Sequence, residues 1–333
     1  MISTMFRSTL LSTACALTAL SAANAAGFET KKCINIGNTL EAPRDASWGN
    51  APDRRYFTAI GKTNIDTVRI PVRWSAYAPD ETPYTIEQDW FDTVDEMIGW
   101  ALEEDLNVIL NIHHFDELYE NPADYDDKFA ALWRQVADHY KEYPDSLYFE
   151  ILNEPRDALS GEVMQDVLLD GLAAIRETNP ERIVIIGGDE WNSIRGLPSI
   201  PETPGDENIV HTFHYYDPHE FTHQKAPWAG MPLDRDVDWG TEEERQQVID
   251  DAATAKAHGD KTGYPVFLGE YGVYDQVPLE KRVPWTAMVR ETMEEAGVST
   301  CPWAFANTFP VWDRETEEWL PGMKDALGVV ETE

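Results

Sequence analysis

Two glutamates close two short apolar runs. "YFEILNEPRD" (148–157) sets Glu154 behind Tyr148, Phe149, Ile151 and Leu152, and "PVFLGEYG" (265–272) sets Glu270 behind Val266, Phe267 and Leu268. Aromatic, β-branched and aliphatic runs of this length read as buried strands. Pro155 removes a backbone donor and favours an extended residue before it, which places Glu154 at a strand tip. A lone glutamate at a strand end is ordinarily a helix cap or a surface group. Two that follow the same pattern read as a pair of carboxyls facing one cavity, and such a pair suits glycosidic bond cleavage. One must stay protonated to donate to the leaving oxygen, and the other must stay ionised to attack the sugar, with the carboxyls about 5 Å apart if the configuration is retained.

Other strand ends add to the pair. Arg69 lies inside the apolar stretch "TVRIPV", where a guanidinium needs a buried carboxylate partner. His214 and Tyr216 are two apart and point to one side of a strand. His113 and His114 end "NVILNIHH", and Asn153 precedes Glu154. A metal hydrolase usually sets two ligands on one strand face as H-x-H. Here His113 and His114 are adjacent, and His211 and His214 are three apart, so both pairs diverge on a regular strand. No metal and no cofactor are expected.

The elements that must hold these groups alternate. Strands are predicted at 33–37, 67–71, 107–113, 147–153, 182–187, 209–215, 265–270 and 300–305. Amphipathic helical patterns are predicted at 89–104, 126–143, 161–178, 241–258 and 284–296. Eight strands alternating with helices point to an α/β chain folded as a single-domain (β/α)8 TIM barrel, which gathers its chemistry at the C-terminal ends of the strands. An open doubly wound sheet is the alternative, but no Gly-rich phosphate loop follows the first strand.

The chain has 333 residues, with 26 basic against 61 acidic side chains and a formal net charge of −35. That field repels nucleic acid and anionic membranes but leaves a neutral polymer free to approach. The acidic residues are spread along the chain as a solvated shell, and no EF-type loop appears. Residues 1–25 combine Arg7, an apolar stretch from Leu10 to Leu20 and Ala23-Asn24-Ala25, the pattern of a secretory signal peptide. Reading Cys15 as a lipoprotein cysteine is the weaker option. The mature domain, 26–333, is expected to be secreted, extracellular or periplasmic, and to act as a monomer.

These motifs resemble glycoside hydrolase family 5 along the whole mature chain. "INIGNTLEAP", "VRIPVRW", "LNIHH", "FEILNEP", "HTFHYYDPHEFTHQ", "PVFLGEYG" and "WAFANTFPVWD" are similar, in order, to that family's strand segments. The resemblance implies a retaining β-glycanase of the secreted endo-β-1,4-glucanase type, acting on β-glucan. It implies Glu154 as acid/base and Glu270 as nucleophile. Asn153 would bond the sugar 2-hydroxyl, and Arg69 and Tyr216 would hold Glu270. His113, His114 and His214 would line the reacting subsite, with Trp303 as its floor. The eighth strand reads Trp-Ala-Phe where many relatives carry an acidic residue, which alters the neighbouring subsite. Trp48, Trp191 and Trp228 fall in strand-end loops, where aromatic faces stack on sugar rings. A β-mannanase or a xyloglucan or lichenan hydrolase would use the same machinery, and a non-catalytic carbohydrate-binding protein is the alternative of another class.

Cys33 and Cys301 fall on the first and eighth strands, neighbours in a closed barrel. Cys33 opens its strand while Cys301 sits close to Trp303, so the expected state is two buried thiols, although export would permit a bridge.

Overall fold

The computed structural model describes residues 27–46 and 48–332. The segment read as a signal peptide, Cys15 included, lies outside the described residues.

Eight parallel strands follow one another around a barrel. They are β1 (Cys33–Asn35), β2 (Thr67–Ile70), β3 (Asn107–Asn111), β4 (Leu147–Glu150), β5 (Val184–Gly187), β6 (Ile209–Tyr215), β7 (Val266–Tyr271) and β8 (Ser299–Pro302). Each pairs with its neighbour in sequence, and a parallel bridge from Lys32 to Thr300 joins the last strand to the first. Every predicted strand is present, most of them shorter at the C-terminal end, because the chain leaves the sheet to build the mouth of the barrel. Long helices Gln88–Glu103, Pro122–His139, Gly161–Arg176, Glu242–Thr262 and Leu279–Glu295 cover the outside. The Glu242–Thr262 helix opens with a capping box, in which the Thr241 hydroxyl accepts from the Glu244 amide and Glu244 accepts from the Thr241 amide. Pro284, expected at a helix start, lies inside Leu279–Glu295. Burial of Trp285, Val289 and Met293 on that helix offsets the hydrogen bond that proline removes.

Strand alternation sorts the residues into two cores. Outward-facing Val68, Val108, Leu110, Phe149, Val184 and Leu268 pack under the helices. Inward-facing Cys33, Ile109, Tyr148, Ile185, Val210, Phe267 and Cys301 form a separate apolar plug. One step further along the same strands the inward positions turn polar, giving Asn35, Arg69, Asn111 and Glu150, all fully buried.

Cys33 and Cys301 form a disulfide across this plug, with Cα atoms 4.3 Å apart. The expectation of two free thiols is corrected by the register. The Lys32–Thr300 bridge sets the start of β1 beside the middle of β8, so the two cysteines stand at one level of the barrel.

Candidate active site

Glu270 reaches the mouth through a fault in β7. Alternation from Phe267 turns Gly269 inward and would turn Glu270 outward. A register shift lies between Phe213–Leu268 and His214–Glu270, so Gly269 is the extra residue and Glu270 comes to face inward opposite His214. Only glycine fits there, since a Cβ would stand 2.8 Å from Thr212 Oγ1.

Glu154 arrives differently. Strand β4 ends at Glu150, and Glu154 has φ +47°, a left-handed conformation in place of the extended one that Pro155 favours. Neighbouring bonds hold the strained segment. The Asn153 amide donates to the Ile112 carbonyl at 2.9 Å, the Tyr119 hydroxyl lies 2.6 Å from the Asn153 carbonyl, and Arg156 donates to the Glu154 carbonyl at 3.1 Å.

The two carboxyls and His214 converge, their ligand-type atoms all lying within 4.8 Å of one another. Glu270 is the more enclosed, accepting from Arg69 Nη1 at 2.7 Å and from the Tyr216 hydroxyl at 2.9 Å. Glu154 has His214 Nδ1 at 2.8 Å from Oε1, and the same nitrogen stands 3.7 Å from Glu270 Oε2. His113 Nε2 is 4.0 Å from Glu270, while Asn111 donates to its Nδ1 at 3.1 Å, which leaves the proton on Nε2. The His113 ring lies parallel to Trp303, with centroids 5.4 Å apart.

Among the described residues, Glu154, His214 and Glu270 are the one group close enough to chelate a metal. The sequence motifs place all three around one subsite but give no sign of chelating distance, since they come from the ends of three strands. The donors already on Glu270, a guanidinium and a phenol, occupy both of its oxygens. That set suits a carboxylate held for chemistry of its own better than a metal ligand.

Burial raises the Glu270 carboxyl, against the opposing pull of His214 and Arg69. Burial acts on Glu154 in the same sense, but the hydrogen bond and charge of His214, with Arg156 and His114, hold it low. Glu270 and Glu154 in turn raise His214 against its own burial. Burial keeps His113 well below its usual range, and His114 falls to about 4. Tyr216 is raised well above its usual value by burial and by Glu270, so it stays a donor.

A cavity of about 500 Å³ opens over this centre. Its wall includes His113, His114, Glu154, Tyr216, Glu270, Trp303 and the exposed Trp48 and Trp228. Arg69, Asn153 and His214 are buried behind the wall and are not part of its lining. Trp191 is exposed outside the wall, its amide donating to the Pro155 carbonyl at 3.1 Å.

Sequence reasoning missed three residues here. Glu41 is buried in the cavity wall, where it accepts from the amides of Asn38 and Thr39, and burial lifts its carboxyl to about 7. His223 lines the wall beside Tyr216, and burial lowers it to about 3. Glu150 grips Arg69 from below. Of these, only Glu150 had a usable signal, since it stands two residues from the inward-facing Tyr148 and so shares its side of β4.

The model of the family described as Cellulase (glycosyl hydrolase family 5) matches residues 21–308. Endoglucanase H of Acetivibrio thermocellus is 34% identical over 299 residues, covering 88% of this chain, which spans only 32% of that protein's length. Endoglucanase A of Ruminococcus albus is 28% identical, with 88% of each chain covered. Among solved structures, a hyperthermophilic endo-β-1,4-glucanase in complex with substrate is 39% identical at a TM-score of 0.88, covering 93% of this chain and all of the other. Endoglucanase Cel5A of Thermotoga maritima is 38% identical at a TM-score of 0.85, covering 89% and 96%.

Proposed function

The chain belongs to glycosyl hydrolase family 5, and from that premise we propose that it is a retaining endo-β-1,4-glucanase acting on cellulose-type or mixed-linkage β-glucan. The observation that carries the reading is the approach of one carboxylate oxygen of Glu154 to within 4.8 Å of one of Glu270. Retaining enzymes set their carboxyls about 5–5.5 Å apart, whereas inverting ones leave about 6.5–9.5 Å for a water between them. The relatives named as endoglucanases support the choice of polymer.

The hydrogen bonds around the two carboxyls support a division of roles. Arg69 can only donate to Glu270, and Tyr216, kept protonated, donates to its other oxygen, so that carboxyl works as the anion and attacks the anomeric carbon. The working proton belongs to the Glu154–His214 pair. It rests on the imidazole in the open site and crosses the 2.8 Å hydrogen bond to Glu154 when a sugar covers the carboxylate and removes its solvation. Glu154 then protonates the leaving oxygen and afterwards, as a base, draws the proton from the water that releases the glycosyl-enzyme. Asn153 shares Arg69 with the nucleophile, its Oδ1 accepting from Nη2 at 2.8 Å, which leaves its N–H groups for a sugar hydroxyl. Trp303 forms the floor, and Trp48 and Trp228 stack on sugars further along the cleft.

The same reading takes 26–333 as one catalytic domain, exported under the 1–25 leader and working as a monomer. The Cys33–Cys301 bridge supports an oxidising compartment. Among the described residues no helix is long and apolar enough to cross a membrane. Reducing-sugar release from carboxymethylcellulose, lichenan, glucomannan and mannan tests the activity. The first two are expected to be cleaved with the β-anomer formed first in proton NMR. No release from any of the four, or an α-anomer first, overturns the proposal.

A further inference from the structure

Arg69 is completely buried, and each of its five N–H donors is engaged. Nε and Nη2 donate to Oε2 and Oε1 of Glu150 at 2.6 and 2.7 Å, a fork-to-fork pair along one edge of the guanidinium. The opposite edge faces the site. There Nη1 donates to Glu270 at 2.7 Å and to Asn35 at 2.8 Å, and Nη2 donates to Asn153 at 2.8 Å. Glu150 itself has no exposure and is absent from the cavity wall, so it cannot touch a sugar.

We infer that Glu150 is a positioning residue for the nucleophile, acting through Arg69, an assignment that rests on the reading of Glu270 proposed above. A guanidinium held along a single edge can still swing about its stem. Gripped along the Nε edge by Glu150, it has one orientation left, and that orientation aims Nη1 at Glu270 and Nη2 at Asn153. The second consequence is electrostatic. One cation lies between two carboxylates, so Glu270 receives only part of the Arg69 charge. A carboxylate paired with the whole of it would be a poorer base and a poorer nucleophile.

The charged and titratable groups facing Glu270 are Arg69 from β2, His113 beyond β3, Glu154 beyond β4, His214 and Tyr216 on and just after β6, and Glu41 from the loop after β1. Replacing Glu150 by glutamine removes the nearest competitor for the guanidinium and leaves all six of these groups in place.

Kinetics on a soluble aryl β-cellobioside, with kcat/KM followed against pH, test the inference. For Glu150→Gln, kcat is expected to fall roughly 100-fold, as for a misplaced catalytic group, with KM within about threefold. The acidic limb of kcat/KM should move about one unit to lower pH, because an unshared guanidinium favours the Glu270 anion. Glu150→Asp keeps the charge and shortens the fork, so kcat should drop while the acidic limb stays in place. A folded Glu150→Gln enzyme with an unmoved acidic limb overturns the electrostatic part, and wild-type kcat in Glu150→Asp overturns the positioning part even if the glutamine variant fails to fold. If instead Glu270→Gln retains full activity, it is the nucleophile assignment that falls.

Discussion

Nδ1 of His214 lies 2.8 Å from Oε1 of Glu154. The imidazole is raised and the carboxyl held low, so in the open site one proton sits between them on the nitrogen side. The titration belongs to the pair and not to either residue. Activity should therefore rise as Glu270, raised from 4.5, loses its proton, and fall as the pair loses its own, at a pH above 6.5. In His214→Asn, Glu154 must hold the proton without an imidazole reservoir, and the alkaline limb of kcat/KM should move to lower pH. An unchanged alkaline limb would show that His214 has no part in the proton's storage.

The two glutamates should fail in different ways. Without its acid, Glu154→Ala is expected to lose about 10²–10⁴-fold on polysaccharide. It should lose far less on a dinitrophenyl cellobioside, whose leaving group needs no proton, and azide should accelerate turnover by replacing the activated water. Glu270→Ala lacks the atom that attacks, so the better leaving group does not spare it in the same way. Equal sensitivity of both variants to the leaving group would break this division of roles.

How far these roles could be read beforehand varies with the residue. Glu154 was legible because Pro155 marks the end of a strand, although the proline argument gave the wrong backbone conformation. Tertiary bonds to Ile112 and Tyr119, with a local one from Arg156, override the local preference there. Glu270 was legible by its surroundings and not by strict alternation, which fails at the Gly269 shift. His113 and His114 were expected to diverge, yet both line the cavity, since β3 ends at Asn111 and its alternation no longer applies. Glu41 and His223 were out of reach of a pattern, because loops bring them to the wall. The disulfide was misjudged because strand ends were compared by sequence position, whereas the stagger of a closed barrel sets which residues are level.

Acid should destabilise the fold well before the carboxylates are titrated. Burial holds His211 and His223 at about 3 and His114 at about 4, each from an ordinary 6.5. Between those values the unfolded chain binds more protons than the folded one, so stability falls as pH drops below 6.5. Glu41, lifted from 4.5 to about 7, has the opposite sign, and its contribution is lost as pH rises across that range. Glu270, also raised, acts with Glu41, but His113, His219 and His258 are lowered as well. The lowered histidines outnumber these two glutamates, so Tm should be lower at pH 4.5 than at pH 6.5. In His211→Gln the dependence should flatten, whatever the variant's absolute Tm. An equal or higher Tm at pH 4.5 in the wild-type protein would refute the sign.

Cys33 and Cys301 are 268 residues apart in sequence and stand together where β8 meets β1. That seam has a single isolated bridge in place of a full ladder, so the disulfide closes nearly the whole chain into a loop at its least hydrogen-bonded joint. Constraining so long a loop limits the unfolded chain, an effect that typically stabilises by about 2–4 kcal/mol. Thiol titration in denaturant without reductant should find neither cysteine free, and Cys33→Ser/Cys301→Ser should unfold at a clearly lower denaturant concentration. Asn35 lies between this joint and the chemistry, with Nδ2 3.4 Å from Cys301 Sγ and Oδ1 accepting from Arg69. Asn35 also donates to the Gly269 and Cys301 carbonyls, at 2.9 and 3.2 Å, and these survive loss of the sulfur. The serine variant should therefore keep its kcat at low temperature and lose only its resistance to unfolding. Two titratable thiols in the untreated protein would show that the seam is held by packing alone.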